Sequence, residues 1–341
     1  MHAIRLHAFG PAENLTYEET ADPVPGPGQV RIAVTAAGVH LLDTALRRGE
    51  SGPFPAPTEL PTIPGREVAG TVDGLGEGTD PAWLGKRVVA HLGLAPGGYA
   101  ELAVVDAAKL HELPDTLGDS EAVAMIGTGR TTLGILQFTE LGPDSIAIVP
   151  AAAGGIGTLL VQYAKNAGAT VIGLAGGPRK VALVRENGAD LAVDYKLPDW
   201  PEQVRAFLGD LPRTPSGETP MATVVFDSVG GDTGRAAVDL LGKGGQHLVF
   251  GWSGKGPHDG EPLTFTEEEL ATRGITSQGV LGPAMIQKAG GDIRTLELAS
   301  LAAATQGRLR PALHHFPLAE AAAAHRALET RGTTGKVVLI P

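Results

Sequence analysis

The sequence predicts an α/β protein in which a small, turn-rich β domain accompanies a doubly wound parallel sheet. Three observations predict it. Short β-type runs broken by Gly and Pro clusters fill the first third of the chain. Strand and helix patterns alternate from near residue 120 onward. A buried, uncharged strand near residue 145 runs straight into a Gly-rich turn and an amphipathic helix.

Each element follows in order. Val30 to Val34, Glu67 to Val72, Arg87 to Ala90 and Tyr99 to Val105 read as strands, with Asp43 to Arg48 as a short helix. Beyond residue 120 the expected strands are Ser145 to Val149, Thr170 to Leu174, Leu191 to Val193, Thr223 to Asp227 and Gln246 to Phe250. Helices at Gly157 to Ala167 and Arg179 to Asn187 end at Gly168 and Gly188, as helices stopped by a left-handed residue do. Pro212 to Pro220 reads as an inserted loop, and a helix from Leu318 to Glu329 precedes a last strand, Lys336 to Ile340.

Composition narrows the function. The 341 residues suffice for two domains. A hydrophobic share of 43% and a charged share of 19% are those of a globular chain. A net charge of −11 opposes a phosphate backbone, so no nucleic-acid partner is expected. With no cysteine, disulfides, thiolate metal sites and a cysteine nucleophile are excluded. The opening MHAIRLHAFG has no apolar core, and the uncharged stretch from Ser145 to Ala164 is interrupted by Pro150, Gly154, Gly155 and Gly157. No signal peptide and no membrane span are expected, and the expected setting is cytoplasmic.

The turn Ala152, Gly154, Gly155, Ile156, Gly157 has the spacing of a dinucleotide fingerprint with its first Gly replaced by Ala. Small residues let the backbone approach a pyrophosphate, and the helix start offers free N–H groups. A tight βα turn without ligand gives the same residues a purely structural reading. An NAD enzyme needs an acidic residue some 20 positions on. Ala175 and Gly176 stand there instead, followed by Arg179 and Lys180. Two cations at a helix start oppose the dipole unless an anion joins them, which favours NADPH and its 2′-phosphate.

These motifs carry a resemblance. PGREVAGTVDGLGEG (64–78), GGYAELAVV (97–105), AAAGGIG (151–157), VVFDSVGG (224–231) and the closing TTGKVVLIP occur in the order found in the medium-chain dehydrogenase/reductase superfamily. The chain resembles its zinc-independent, quinone oxidoreductase-like branch over nearly its whole length. The resemblance implies a GroES-like β domain from residues 1–123 and 286–341 around a Rossmann domain from residues 124–285. It implies a cofactor set that adds Thr131, Tyr195, Phe250, Gly251, Ser253 and Lys336, and a homodimer joined through edge strands. The implied substrate is a small electrophile, a quinone or an α,β-unsaturated carbonyl.

Zinc relatives use a Cys, a G-H-E histidine and a third acidic or Cys ligand. Here the corresponding residues are His40 and Arg66, and a guanidinium is no ordinary zinc ligand, so no metal is expected. Without metal, hydrogen bonds must polarise the acceptor. His40 reads equally as a donor to substrate and as a structural histidine. Asp43 reads equally as catalytic and as a tie for the substrate loop. Arg130 reads as a contact to diphosphate or to an anionic substrate, or as an exposed residue. The loop from Arg47 to Pro61, with Phe54, is expected to rim the pocket. Quinone reductases resembling this chain carry tyrosines at the positions of Ala45 and Ser51; this chain has none between Tyr17 and Tyr99. Two other activities fit the same fold: a zinc-free alcohol or ketone reductase, and a protein that holds NADPH without turnover.

Overall fold

A computed structural model describes residues 1–50, 59–93, 96–255 and 260–341. Phe54 and most of the expected pocket rim fall outside the described residues. The chain divides into two compact units, 1–130 with 297–341, and 131–296.

The first unit holds β1 (His2–Leu6), β2 (Leu15–Glu19), β3 (Gln29–Val39), β4 (Glu67–Leu75), β5 (Arg87–His91), β6 (Leu102–Asp106) and β7 (His111–Glu112). β3 alternates buried and partly exposed residues in its first half, as a strand covered on one face does. It pairs antiparallel with β4 and β6, and at Gly70 of β4 an added Cβ would collide with the Ala33 carbonyl of β3. Ile4, Ile32, Val68, Val88 and Tyr99 lie in one buried cluster.

The second unit holds β8 (Ile146–Val149), β9 (Thr170–Ala175), β10 (Leu191–Asp194), β11 (Ala222–Asp227), β12 (Leu241–Val249) and β13 (Thr276–Gly279). All six run parallel in the order β10-β9-β8-β11-β12-β13. Every residue of β8 is buried, because helices cover both faces of a doubly wound sheet. Two core clusters flank the sheet, one around Ile135, Leu160 and Phe226, the other around Ile148, Trp200 and Val225. The chain then returns to the first unit, where β14 (Leu313–Pro317) and β15 (Lys336–Ile340) close the seven-stranded sheet through β3.

The sequence places the domain boundaries at 123/124 and 285/286, whereas the units meet at 130/131 and 296/297. Both crossings fall inside helical stretches, 119–136 and Ile293–Thr305, so neither boundary coincides with a loop. The ion pair from Arg130 to Glu297, 2.9 Å, keeps both residues in the first unit.

Candidate active site

In the second unit, expected cofactor residues gather in four loops at the carboxyl ends of β8, β9, β10 and β12. Ligands bind there in open parallel sheets, and the strand order reverses between β8 and β11. After β8, Ala151 takes a φ of 51°, a left-handed conformation rare for Ala, and turns the chain sharply. Ala152, fully buried, anchors the turn by donating its N–H to the Leu174 carbonyl. Gly154 caps the helix Gly155–Asn166, so Gly155, Ile156 and Gly157 form its first turn with N–H groups that lack intrahelical partners. At Gly157 an added Cβ would strike the Ala151 carbonyl and stand 2.7 Å from Ala152 Cα. Only glycine lets this helix start so close to the strand.

After β9, Gly176 is followed by Gly177 at φ 93°, which starts the helix Pro178–Glu186 carrying Arg179 and Lys180. Its first turn holds no acidic residue. Tyr195, just beyond β10, lays its hydroxyl 2.8 Å from where a Gly176 Cβ would be. Lys196 approaches the same point, its Cε at 3.1 Å. The sequence reading missed Lys196, although its place beside Tyr195 signals it. Beyond β12, Phe250 donates its N–H to Asp227, and Ser253 holds the Ser228 carbonyl with both its N–H and its hydroxyl, at 3.1 and 3.2 Å. Thr131 opens the second unit from the first turn of the helix Arg130–Leu136. A nicotinamide dinucleotide fits these residues. The glycine cradle has no room for side chains, the helix start has unused donors, and the position where an acid would meet a ribose 2′-hydroxyl is a glycine beside cations.

In the first unit a different cluster forms. His40 follows β3 and caps the start of the helix Leu41–Arg47. Asp43, buried, accepts the His40 backbone N–H at 2.8 Å and the Tyr99 hydroxyl at 3.0 Å, with the Arg66 guanidinium 3.6 Å away. Burial first, and then the Asp43 charge, push the Tyr99 hydroxyl well above its usual pKa. Asp43 thereby ties the His40 backbone to the sheet.

The His40 side chain reaches Glu67 on β4 and Lys336 on β15. Lys336 Nζ lies 2.8 Å from Glu67 Oε2 and 2.8 Å from His40 Nε2, and Nε2 lies 2.5 Å from Glu67 Oε1. The Glu67 side chain is fully buried and that of Lys336 is 4% exposed, while that of His40 keeps 31%. Burial alone would raise the Glu67 pKa, but His40 and Lys336 outweigh it and hold the carboxyl well below the usual range. Two glycines make room for the carboxylate. An added Cβ at Gly38 or Gly127 would collide with a Glu67 oxygen. Gly127 sits in a π-helical turn, Met125–Gly129, a widened segment of a kind often found at functional sites. Lys336, expected in the cofactor set, is therefore engaged by Glu67 and His40 within its own unit.

Arg130 is not the exposed residue of one sequence reading. Its guanidinium pairs with Glu297, whose other oxygen is 3.0 Å from His111 Nε2. Burial would raise the Glu297 pKa, but the His111 hydrogen bond and Arg130 lower it overall. His91, opposite Glu67 in the β4–β5 register, has its pKa lowered to about 4 by burial and then by Arg130.

Comparison with known proteins places this geometry. Residues 26–115 match the alcohol dehydrogenase GroES-like domain, and residues 155–297 match the zinc-binding dehydrogenase model. A quinone oxidoreductase of Pseudomonas aeruginosa is 34% identical over 99% of both chains. The chain belongs to the quinone oxidoreductase branch of the medium-chain dehydrogenase/reductase superfamily. A 2-haloacrylate reductase of a Burkholderia species is 32% identical over 98% of each chain. Among solved structures, Escherichia coli quinone oxidoreductase complexed with NADPH matches with a TM-score of 0.81 and 28% identity, covering 100% of both chains.

One matching family model carries zinc in its description, but the residues of this quinone oxidoreductase relative do not fit the ion. Arg66 stands where the zinc relatives have histidine, and the Lys336 ammonium lies 2.8 Å from both His40 Nε2 and Glu67 Oε2. A cation cannot coordinate through a lone pair that another cation already engages. No group of three potential ligands occurs among the described residues.

Proposed function

We propose that this protein is an NADPH-dependent oxidoreductase that reduces quinones or α,β-unsaturated carbonyl compounds without zinc. One observation carries the reading: a complete dinucleotide cradle, with Gly176 beside Tyr195, Lys196 and the Arg179–Lys180 helix start in place of an acid. The relatives named for quinone reduction, and the solved relative complexed with NADPH, support the cofactor and the acceptor class. The relative named for 2-haloacrylate adds conjugated acids to the candidate acceptors.

When bound, the dihydronicotinamide supplies the hydride, and the protein contributes geometry and electrostatics. Ala152 and the first-turn N–H groups of Gly155, Ile156 and Gly157 hold the diphosphate, with Thr131 alongside. Arg179, Lys180 and Tyr195 hold the 2′-phosphate, and Phe250, Gly251 and Ser253 line the ribose side. In the first unit, His40 meets the acceptor, while Asp43 fixes the His40 backbone and does not itself react. Arg130 shapes the site through Glu297. The resemblance also implies a cytoplasmic homodimer. β13 forms the edge of the six-stranded sheet and is mostly exposed, as a strand that joins a second copy would be. No helix among the described residues is long and apolar enough to cross a membrane.

The test is a substrate panel of 1,4-benzoquinone, 9,10-phenanthrenequinone, an enone, 2-chloroacrylate and a simple ketone. Turnover of the quinones or conjugated compounds, with the ketone inert, is the expected pattern. Reduction of the ketone alone would favour the alcohol dehydrogenase-type reading, and tight NADPH binding without any turnover would favour a non-catalytic one.

A further inference from the structure

His247, on β12 of the second unit, is paired in register with Ser277 on β13, so the two side chains share one face of the sheet. The histidine is fully buried, and both ring nitrogens are engaged. Nδ1 lies 2.8 Å from Ser277 Oγ, and Nε2 lies 3.1 Å from Oδ2 of Asp227, the last residue of β11. Phe265 meets the ring edge-on, with 5.7 Å between ring centres. A ring held at two nitrogens and one edge keeps a single orientation. Asp227, also fully buried, passes that order on. Its other oxygen, Oδ1, accepts the N–H of Val229 at 2.8 Å and that of Gly230 at 2.9 Å, which shapes the turn 228–230. The turn grips the segment after β12 by two carbonyls. Ser228 accepts from Ser253, and Val229 accepts from the Gly254 N–H at 2.6 Å.

The place of these contacts in the sheet ties them to the cofactor. β9 and β10 lie to one side of β8, and β11 and β12 lie to the other. With the diphosphate at the turn after β8 and the 2′-phosphate at the turns after β9 and β10, the nicotinamide half must extend over the turns after β11 and β12. We propose that His247 is a positioning residue for that half of NADPH: braced by Ser277, it fixes Asp227, and Asp227 fixes the turn 228–230 and with it the segment from Phe250 to Ser253. This rests on the NADPH reading above. Close packing gives the turn little slack. An added Cβ at Gly251 would stand 3.0 Å from the Ser228 carbonyl oxygen, and one at Gly234 would stand 2.7 Å from Asp227 Oδ2. Without the imidazole, Oδ2 is a buried acceptor short of a donor, so the carboxylate is driven to turn, and the N–H groups of Val229 and Gly230 move with it.

Two ligands separate positioning from general damage to the fold. NADPH spans both sides of β8, whereas adenosine 2′,5′-bisphosphate carries only the adenosine half. In His247→Leu the NADPH dissociation constant from nucleotide fluorescence is expected to rise about fivefold or more, the loss of one buried hydrogen bond. The dissociation constant of the bisphosphate, from calorimetry, is expected to change less than about twofold, because its contacts lie at the turns after β8, β9 and β10. His247→Gln, whose amide can still donate to Asp227, recovers part of the NADPH affinity. Ser277→Ala, a half-buried position on an edge strand, keeps the fold even if His247→Leu does not, and is expected to show the same one-sided loss at a smaller size. Equal weakening of both ligands would overturn the proposal, since that is the result of a sheet disturbed as a whole. So would NADPH affinity that none of the three variants changes. A wild type that binds neither ligand would instead defeat the NADPH reading, and this inference with it.

Discussion

At the scale of single residues, charge and burial divide the labour. Lys180 occupies the first turn of a helix that offers no acid of its own, so an anion must justify the cation there. Lys180→Ala is expected to raise the KM for NADPH about tenfold, the ~1.4 kcal/mol of one charge-assisted contact, and to leave NADH nearly unaffected. Steady-state kinetics with both nucleotides checks it, and equal losses would remove Lys180 from the phosphate site. His325 makes a different prediction. It is fully buried against the Tyr99 hydroxyl, 3.2 Å from Nε2, and burial first lowers its pKa to about 4. The folded chain keeps it neutral, whereas the unfolded chain takes up a proton below about pH 6.5. Stability from this residue is therefore complete above about pH 6.5 and is lost as pH falls toward 4, by about 2 kcal/mol at pH 5. His325→Asn should cost stability at neutral pH yet shrink the difference between urea midpoints at pH 7.5 and pH 5. An unchanged difference would show that the acid sensitivity lies elsewhere, with His91 the next residue to test.

At the scale of elements, the βα turn and the π-helical turn both depend on glycine for close approach. Gly157→Ala would force the helix start away from Ala151 and Ala152. It is expected to weaken NADPH binding at least tenfold in a fluorescence titration while the far-ultraviolet circular dichroism stays close to wild type. Retained affinity would mean the turn tolerates the shift. Much of this architecture is legible in the sequence because its period is regular. The strands at 145–149, 170–174, 191–193 and 223–227 fall within a few residues of β8, β9, β10 and β11. The helix start differs by two residues, at Gly155 rather than Gly157, because glycine marks the tight turn without marking the first helical residue. The edges are less legible. β13 reads TSQG and β14 reads LHHFP, and neither has the apolar run or clean alternation that reveals a strand. They form because a neighbouring strand offers hydrogen bonds, and a single segment does not show that.

At the scale of the whole molecule, the same distinction separates what the sequence shows of the site from what it hides. The dinucleotide loop and the missing acid are local and can be read directly. His40 and Asp43 stand out through resemblance to a family. The partners that give His40 its chemistry do not: Lys336 meets Glu67 from 269 residues away, and Arg130 meets Glu297 across 167. Charge pairs between distant segments leave no periodic trace, so the ties of Glu67 to Lys336 and of Glu297 to Arg130 emerge only from the fold. Sedimentation velocity should find the protein dimeric, and a charge placed on β13, such as Thr276→Lys, should shift it toward the monomer. A monomeric wild type would leave that edge unused.

The central claim is zinc-free, NADPH-dependent reduction, and the most direct measurement is the initial rate of NADPH and NADH oxidation with 9,10-phenanthrenequinone before and after dialysis against a strong chelator. The account predicts turnover that survives chelation and prefers NADPH. Loss of activity on chelation, restored by zinc, would contradict the reading of Arg66 and Lys336, and equal use of NADH would contradict the reading of Gly176, Arg179 and Lys180.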